Sequence, residues 1–330
     1  MLEFFLSSCL VGGSSIFAYL RSREFWDSFL PMNSTLHVYK FGGASVKDAA
    51  ALRNLYTILQ SRLQTNKLIV VSAMGKTTNA LEAVLAKKLV QADFSQDWNQ
   101  IRDFHVGVCQ ELFPDAHPVV AKLEQLMDTA QPILEAPISK SNYDEVYDQL
   151  ICYGELLSSL VVSEYLIFRG LPLSWQDART VIHTDSDFRF AKIDWEKTRA
   201  ACQNQWAGLL TQTTILTQGF IGQDPQGRTT TLGREGSDFT AAILATSLDA
   251  ESVTIWKDVP GVLNADPKLF PNTQKFEELR YREAAEMTYF GASVIHPKTI
   301  KPLANAGIPL FVKSFVDPDA SGTKIHEHAT

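Results

Sequence analysis

The densest group of chemically useful side chains lies between Gly227 and Asp238, in the run GRTTTLGREGSD. A guanidinium such as that of Arg234 grips a carboxylate or a phosphate through two parallel hydrogen bonds. Asp238 could receive an amine or hold Mg²⁺, and with Ser237 it stands directly before an apolar stretch at 239–248 that predicts a helix. A purely structural loop rarely needs this density of glycines, hydroxyls and opposite charges, so the run is interpreted as a functional site.

A second candidate is the run KFGGAS at 40–45, where a strand ends and a helix is expected to begin. The adjacent glycines Gly42 and Gly43 let backbone N–H groups approach an anion closely, and a helix N-terminus adds a favourable field. Lys40 would supply a full positive charge at the same point. A tight turn with a solvated lysine explains the run equally well.

Two more runs carry polar side chains at strand-to-helix turns. The run SAMGKTT at 72–78 would need glycine at position 70 to form a P-loop, and Val70 excludes that interpretation. A hydroxyl-lined site and a simple helix cap both remain open there. In GELLSS, Glu155 shares one helical face with Ser158 and Ser159, and it could compensate the helix dipole or receive an ammonium group.

The remaining loop, at 255–268, mixes turn-forming residues with charges. Lys257, Asp258 and Lys268 would suit the phosphates and ribose of a nucleotide, although an ordinary loop fits as well. His296 has no second histidine or cysteine at ligand spacing, so we interpret it as a structural residue.

The elements that must position these groups follow from apolar runs. Helical patterns separate six predicted strands, at 36–41, 68–71, 171–175, 213–220, 252–259 and 308–314. Continuous apolar strands alternating with helices predict a three-layer αβα sandwich with a mostly parallel central sheet. Ligands of such folds bind beyond the carboxyl ends of the strands, which is where the glycine-rich runs lie.

Composition excludes several classes of protein. Of the 330 residues 45% are hydrophobic and 20% charged, which rules out disorder and fibrous structure, and a net charge of −7 argues against wrapping nucleic acid. Four scattered cysteines favour a reducing, cytoplasmic compartment. The uncharged stretch at 4–20 is short for a membrane span and is diluted by serine and glycine, so a membrane anchor is the less favoured alternative. We interpret residues 1–32 as a poorly ordered or loosely packed extension, with Met32 as a candidate start.

Taken in order, six runs resemble the signatures of aspartate kinases, members of the amino acid kinase superfamily with a carbamate kinase-like fold. The match covers approximately residues 36–315. Residues 229–238 resemble TTTLGRGGSD, the most diagnostic signature. The others are 40–46 with KFGGTSV, 70–78 with VSAMGKTT, 154–159 with GExLSS, 256–268 with WTDVDGxxxxDPR, and 291–297 with GAKVLHP.

This resemblance implies transfer of the γ-phosphoryl group of ATP to the side-chain carboxylate of L-aspartate. That reaction would be the first step in the biosynthesis of lysine, threonine and methionine. It implies Mg²⁺ with few protein ligands, and no dedicated metal site. The implied catalytic residues are Lys40 and Asp238. The implied substrate-binding residues are Thr78, Glu155, Arg234 and Ser237. The implied nucleotide-binding residues are Gly42, Gly43, Ser45, Lys257, Asp258 and Lys268.

Five positions depart from the family signatures. Ala44 and Lys257 stand where the signatures have threonine, and Glu235 stands where they have glycine. Lys268 stands where arginine is usual, and Ser293 stands where many members have a nucleotide-contacting lysine. Lys257 or Lys298 could replace that missing lysine.

The resemblance also leads us to divide 33–330 into a substrate lobe at 33–205 and a nucleotide lobe at 206–330. Members of this family usually continue into ACT domains that bind lysine or threonine as inhibitors. We expect no such domain and no inhibition by these amino acids here, and a homodimer is left open. Two alternatives remain: a kinase acting on glutamate or N-acetylglutamate, and a catalytically silent ligand-binding regulator.

Overall fold

An eight-stranded sheet forms the centre of the described part of the chain. The computed structural model describes residues 35–62, 67–265, 269–270, 272–289 and 295–329. The predicted extension at 1–32, Lys268 and Ser293 lie outside these residues. Leu36–Thr330 forms one structural unit, and its division into two lobes stays a prediction.

The main sheet is parallel except at one pair of strands near its edge. Its order is β3-β4-β2-β1-β7-β9-β10-β8, in which only β9 and β10 pair antiparallel. A separate antiparallel ribbon consists of β5 and β6. The strands are β1 (His37–Phe41), β2 (Lys67–Val71), β3 (Leu173–Trp175), β4 (Thr214–Gln218), β5 (Ile221–Gln223), β6 (Thr229–Thr231), β7 (Ser252–Lys257), β8 (Glu278–Leu279), β9 (Leu310–Ser314) and β10 (Thr323–Ile325).

Helices cover both faces of this sheet. They are α1 (Ala49–Gln60), α2 (Thr77–Leu89), α3 (Ser95–Leu112), α4 (Val119–Asp128), α5 (Gln131–Glu135), α6 (Tyr143–Ile151), α7 (Tyr153–Phe168), α8 (Trp195–Cys202), α9 (Gly236–Ser247), α10 (Tyr281–Tyr289) and α11 (Pro297–Ala306). Helix α8 continues through a π-helical turn at Gln203–Ala207 to Leu210.

The contacts between these elements define three layers. Helix α7 packs on β2, β3 and β4 together with α1 and α3, whereas α9 packs on β1, β2 and β7 together with α8 and α11. Every residue of β2 and β4 is buried, as a strand covered on both faces requires. The predicted αβα sandwich with a mostly parallel sheet is therefore confirmed.

The turn after β1 differs from the sequence-based expectation. The spacing of Ser45 and Asp48 predicts a capping box that opens a helix at Ser45. Instead, residues Gly43–Val46 form a short 3₁₀ turn, and α1 begins at Ala49 with Asp48 as its N-cap. Asp48 wins because its Oδ1 accepts a hydrogen bond from the N–H of Ala51 at 2.8 Å, whereas the Ser45 hydroxyl donates to the carbonyl of Gly42.

One described stretch, Tyr143–Phe168, is long and apolar enough to cross a membrane by length and composition alone. It consists of α6 and α7, and 83% of its most apolar window is buried inside the protein. This stretch is therefore a core helix pair. The described thiols of Cys109, Cys152 and Cys202 are also buried, and none of the three forms a disulfide.

Candidate active site

A cavity of about 460 Å³ opens where β1, β2 and β4 end. Lys40 reaches it from β1, the turn at 72–75 follows β2, and the first turn of α9 closes the opposite wall. The structure thus brings together seven residues that the sequence analysis singled out. They are Lys40, Gly43, Thr78, Glu155, Arg234, Ser237 and Asp238.

Asp238 is the electrostatic centre of this cavity. Its Oδ1 lies 2.6 Å from Nζ of Lys40, and its Oδ2 lies 3.2 Å from Nζ of Lys257. Burial alone would raise the pKa of Asp238, but the two ammonium groups outweigh it and hold the pKa below its ordinary value. The carboxylate is therefore ionised at neutral pH, and it fixes both lysine side chains at one end of the cavity.

Close backbone packing places Asp238. A Cβ atom on Gly219, just after β4, would lie 2.4 Å from Cβ of Ser237, so the chain after β4 passes against the first turn of α9. Glu235 precedes that turn with φ 55° and ψ 27°, a left-handed conformation that costs roughly 1 kcal/mol in a non-glycine residue. Gly236, Ser237 and Asp238 of this first turn line the cavity, and a helix N-terminus favours a negative charge beside it.

The turns after β1 and β2 are joined in the same way. The N–H of Gly75 donates to the carbonyl of Gly43 at 3.2 Å, and a Cβ atom on Gly43 would lie 2.8 Å from the carbonyl oxygen of Ala73. The Ser45 hydroxyl is used within its own turn, at 2.6 Å from the carbonyl of Gly42. Neither Gly42 nor Ser45 lines the cavity, so their predicted contacts with phosphate stay predictions.

Glu155 presents a carboxyl group from the first turn of α7. Its Oε1 accepts a hydrogen bond from the N–H of Ala73 at 3.1 Å, while its Oε2 is buried without a hydrogen-bond partner among the described residues. Burial raises the pKa of Glu155 to about 8, against the opposing effects of the Ala73 N–H and of Lys40. The group is therefore mostly protonated at neutral pH until a cation enters the cavity.

Arg234 is the exposed cation of the cavity. Its guanidinium makes no hydrogen bond or ion pair with another residue in the described part of the chain. A planar, unpaired guanidinium at the mouth of a cavity that already contains Lys40 is suited to bind a carboxylate bidentately. Lys40, implied as catalytic, and Arg234, implied as substrate-binding, thus line the same cavity.

Polar contacts that no sequence pattern predicts centre on Asp148, beside the cavity. Asp148 accepts hydrogen bonds from the N–H of Thr231 at 2.7 Å and from the N–H of Arg189 at 2.9 Å. Burial raises its pKa to about 6. The Arg189 guanidinium lies 4.4 Å from the centre of the Tyr147 ring. Thr231, Arg189 and Tyr147 all line the cavity, and no local pattern connects these distant positions.

Two of the departures from the family signatures contact each other. Nζ of Lys257 lies 3.9 Å from Oε2 of Glu235, so the added negative charge is met by an added positive one. Lys298 instead donates to the carbonyl of Leu232. Asp258 is exposed and does not line the cavity, and its predicted role in nucleotide binding stays a prediction.

Comparison with known proteins agrees with this fold. The model of the amino acid kinase family matches residues 35–314, and the chain belongs to that family. Within it, the chain is 37% identical over 293 residues to lysine-sensitive aspartokinase 3 of Escherichia coli, covering 88% of this chain and 64% of the relative. It is 32% identical to chloroplastic aspartokinase 1 of Arabidopsis thaliana, covering 87% of this chain and 51% of that relative.

A solved structure shows the same similarity in three dimensions. The crystal structure of E. coli aspartokinase III in complex with aspartate and ADP has a TM-score of 0.81 and 34% sequence identity to this chain. The superposition covers 89% of this chain and 65% of that one. The chain thus spans between about half and two thirds of the length of these relatives.

Proposed function

We propose that this chain transfers the γ-phosphoryl group of ATP to the side-chain carboxylate of L-aspartate, giving 4-phospho-L-aspartate. The observation that carries the proposal is the convergence of Lys40 and Arg234 on one cavity around the buried Asp238. Support comes from the E. coli relative, whose crystal structure contains aspartate and ADP.

The chemistry needs positioning more than proton transfer. The acceptor carboxylate is already ionised at neutral pH, so it attacks phosphorus without a general base. Its approach to the triphosphate is opposed by the repulsion between two anions. Lys40, held 2.6 Å from Asp238, would lie between the acceptor and the γ-phosphate and reduce that repulsion as charge develops.

The amino acid would be held at both of its other charged groups. Arg234 would bind the α-carboxylate through two hydrogen bonds. The α-ammonium group would lie near Glu155, whose unpartnered Oε2 then ionises. Thr78 and Ser237 add hydroxyl groups to the same wall of the cavity. Each charged group of the substrate therefore meets a side chain of opposite charge.

ATP would lie toward Lys257, Asp258 and Lys268, with the backbone N–H groups of Gly42 and Gly43 near its phosphates. The described residues include no cluster of three or more His, Cys, Asp or Glu side chains arranged to hold a metal ion. The oxygen donors of Ser237 and Asp238 are nevertheless of the kind that Mg²⁺ prefers. When bound, Mg²⁺ would neutralise phosphate charge while coordinated mainly by the phosphates themselves.

The proposal has consequences for the place of the enzyme in metabolism. A 4-phosphoaspartate product would serve biosynthesis of lysine, threonine and methionine in a cytoplasmic compartment. A homodimer stays a prediction, as does the absence of nucleic-acid and membrane partners.

An enzyme acting on glutamate or N-acetylglutamate is the nearest alternative, because one methylene of substrate length changes discrimination by only ~1–3 kcal/mol. A silent ligand-binding regulator would not need Lys40.

Trapping of the acyl phosphate with hydroxylamine tests these possibilities together. Purified protein is incubated with Mg-ATP and, in turn, L-aspartate, L-glutamate and N-acetyl-L-glutamate, and the hydroxamate is measured. We expect product from aspartate. Product from another acid alone would replace the proposed substrate, and no product from any of them would favour the regulator.

The variant Lys40→Met tests the mechanism. We expect kcat to fall by about 10²-fold or more, because the cation between the two anions is lost. Asp238 keeps its contact with Lys257, so the variant should remain folded, which a urea-unfolding curve checks. The matched control is Lys47→Met, on the exposed side of the same turn. Equal turnover in both variants would remove Lys40 from the mechanism.

A further inference from the structure

A second cavity, of about 690 Å³, lies between α9, α11 and the segment 190–195. Its walls include three aromatic side chains and three lysines. They are Phe190, Trp195 and Phe239, and Lys192, Lys298 and Lys301. We call this space the aromatic-lysine cavity. The mechanism proposed above does not use it.

The charged side chains that line this cavity are all positive. No carboxylate is among its described lining residues. Lys192 pairs with Asp187 at 3.3 Å, but Lys301 makes no ion pair within the described ranges. Lys298 lies 4.8 Å from the centre of the Phe239 ring. Unbalanced ammonium groups beside a concave apolar surface attract an anion that also has an apolar body.

The apolar surface of this cavity is partly open to solvent. Phe190 is 65% exposed and Trp195 is 41% exposed. The Trp195 ring meets the Phe239 ring edge-on, at 6.4 Å between centroids. Large aromatic faces left open in a concave site mark a place where a ring can stack.

The aromatic-lysine cavity also touches the segment that carries Arg234. Phe190 lines both cavities, and a Cβ atom on Gly233 would lie 2.9 Å from its ring. Lys298 donates to the carbonyl of Leu232. Leu232 is buried in a small cluster with Ala191 and Ile243, apart from the main core. Phe190 and Lys298 thus contact the two residues that precede Arg234, and these contacts link the two cavities.

We propose that the aromatic-lysine cavity binds a small molecule with an aromatic ring system and one anionic group. Its occupancy changes the affinity of the first cavity through Phe190 and Leu232. This second part rests on the proposed function, whereas binding itself does not.

Fluorescence titration provides the test of binding. The probe is 8-anilinonaphthalene-1-sulfonate, and its uncharged counterpart N-phenyl-1-naphthylamine has the same ring system. We expect saturable enhancement with the sulfonate, and weaker binding of the neutral dye. Near-ultraviolet circular dichroism confirms that each protein sample is folded, because the sulfonate also binds partly unfolded chains.

Two variants locate the site. Trp195→Ala should weaken binding of the sulfonate by about tenfold through loss of the stacking surface. Lys301→Glu should weaken it by about fivefold, with little effect on the neutral dye. Lys197→Glu is the matched control, because it makes the same charge change on α8 outside the cavity. Wild-type affinity in both cavity variants would overturn the proposal, and so would equal losses in the control.

Coupling is measured on the same dye. If the two cavities communicate, L-aspartate shifts the dissociation constant of the sulfonate, and the sulfonate shifts the dissociation constant of L-aspartate by the same factor. Dye binding that responds to the variants but not to aspartate would refute the coupling alone. Dye binding in a protein without kinase activity would refute the proposed function and leave the second site intact.

Discussion

Replacing Glu155 with glutamine tests whether a protonated carboxyl group stands in the first cavity. The ordinary pKa of this side chain is 4.5, and burial raises it to about 8 in the folded protein. Between these values the folded chain keeps a proton that the unfolded chain has released. The resulting stability is fully present below pH 4.5 and is lost as the pH rises toward 8.

The size of the effect follows from that window. The free energy of unfolding should fall by up to about 1.4 kcal/mol per pH unit relative to a side chain that cannot ionise. Between pH 6 and pH 8, the free energy of unfolding of Glu155→Gln should therefore rise by about 2–3 kcal/mol relative to that of the wild type. Glutamine keeps the size of the side chain and an oxygen for the Ala73 N–H, which donates to Oε1 at 3.1 Å.

Urea unfolding at pH 5, 6, 7 and 8 measures this difference without any substrate. The control is Glu164→Gln on the same helix, where the carboxylate pairs with Lys122 at 2.8 Å near the surface. We expect the free-energy gap between wild type and Glu155→Gln to widen with pH, and the gap for the control to stay level. A constant gap for Glu155→Gln across this range would refute the assignment of a raised pKa.

Substrate affinity gives a second reading of the same group. An ammonium group beside Oε2 favours the ionised form of Glu155, so the pKa of Glu155 is lower when substrate is bound than when the cavity is empty. The wild type should therefore bind L-aspartate more tightly at pH 8 than at pH 6. Glu155→Gln should lose this pH dependence, and affinity that rises equally in the variant would assign it to another group.

Two further predictions concern the backbone around Ser237. In a thermal-unfolding assay, Gly219→Ala should destabilise the protein by about 1–3 kcal/mol, because its Cβ would lie 2.4 Å from that of Ser237. The control is Gly107→Ala, whose Cβ would have nothing within 4 Å, and this variant should be more stable by about 0.5–1 kcal/mol. Glu235→Gly should relieve the left-handed conformation of Glu235, and a double-mutant cycle with Lys257→Thr should give a coupling of about 0.2–1 kcal/mol in urea. No coupling would show that the contact at 3.9 Å is incidental.

The main sheet could be predicted from the sequence because its strands are continuous apolar runs. All six predicted strands are present, within a few residues of the predicted bounds. The strands that were missed have two or three residues each. The ribbon strand Thr229–Thr231 has only threonines, so neither an apolar run nor an alternation marks it. Long-range pairing determines such strands, and local sequence does not record it.

The cavity could be predicted in part, for a related reason. Parallel strands bring their carboxyl ends to one edge, so glycine-rich turns after different strands must meet there. The contacts that hold Arg189 and Thr231 escaped prediction, because their acceptor Asp148 lies 41 and 83 positions away in the chain. Ser45 shows the opposite error, since a local capping pattern was outweighed by the better acceptor Asp48.

Two buried carboxyl groups in one cavity have opposite protonation states, and the cause is local. Asp238 lies within 2.6 Å and 3.2 Å of two ammonium groups, and its pKa is lowered. Glu155 accepts a hydrogen bond from the N–H of Ala73, but burial outweighs that bond and the charge of Lys40, and its pKa is raised to about 8. The first group therefore stays ionised beside Lys40 at neutral pH, while the second is mostly neutral there and would ionise when the proposed ammonium group binds. A cavity in which every carboxyl group was already ionised would lose the excess of positive charge that two approaching anions require.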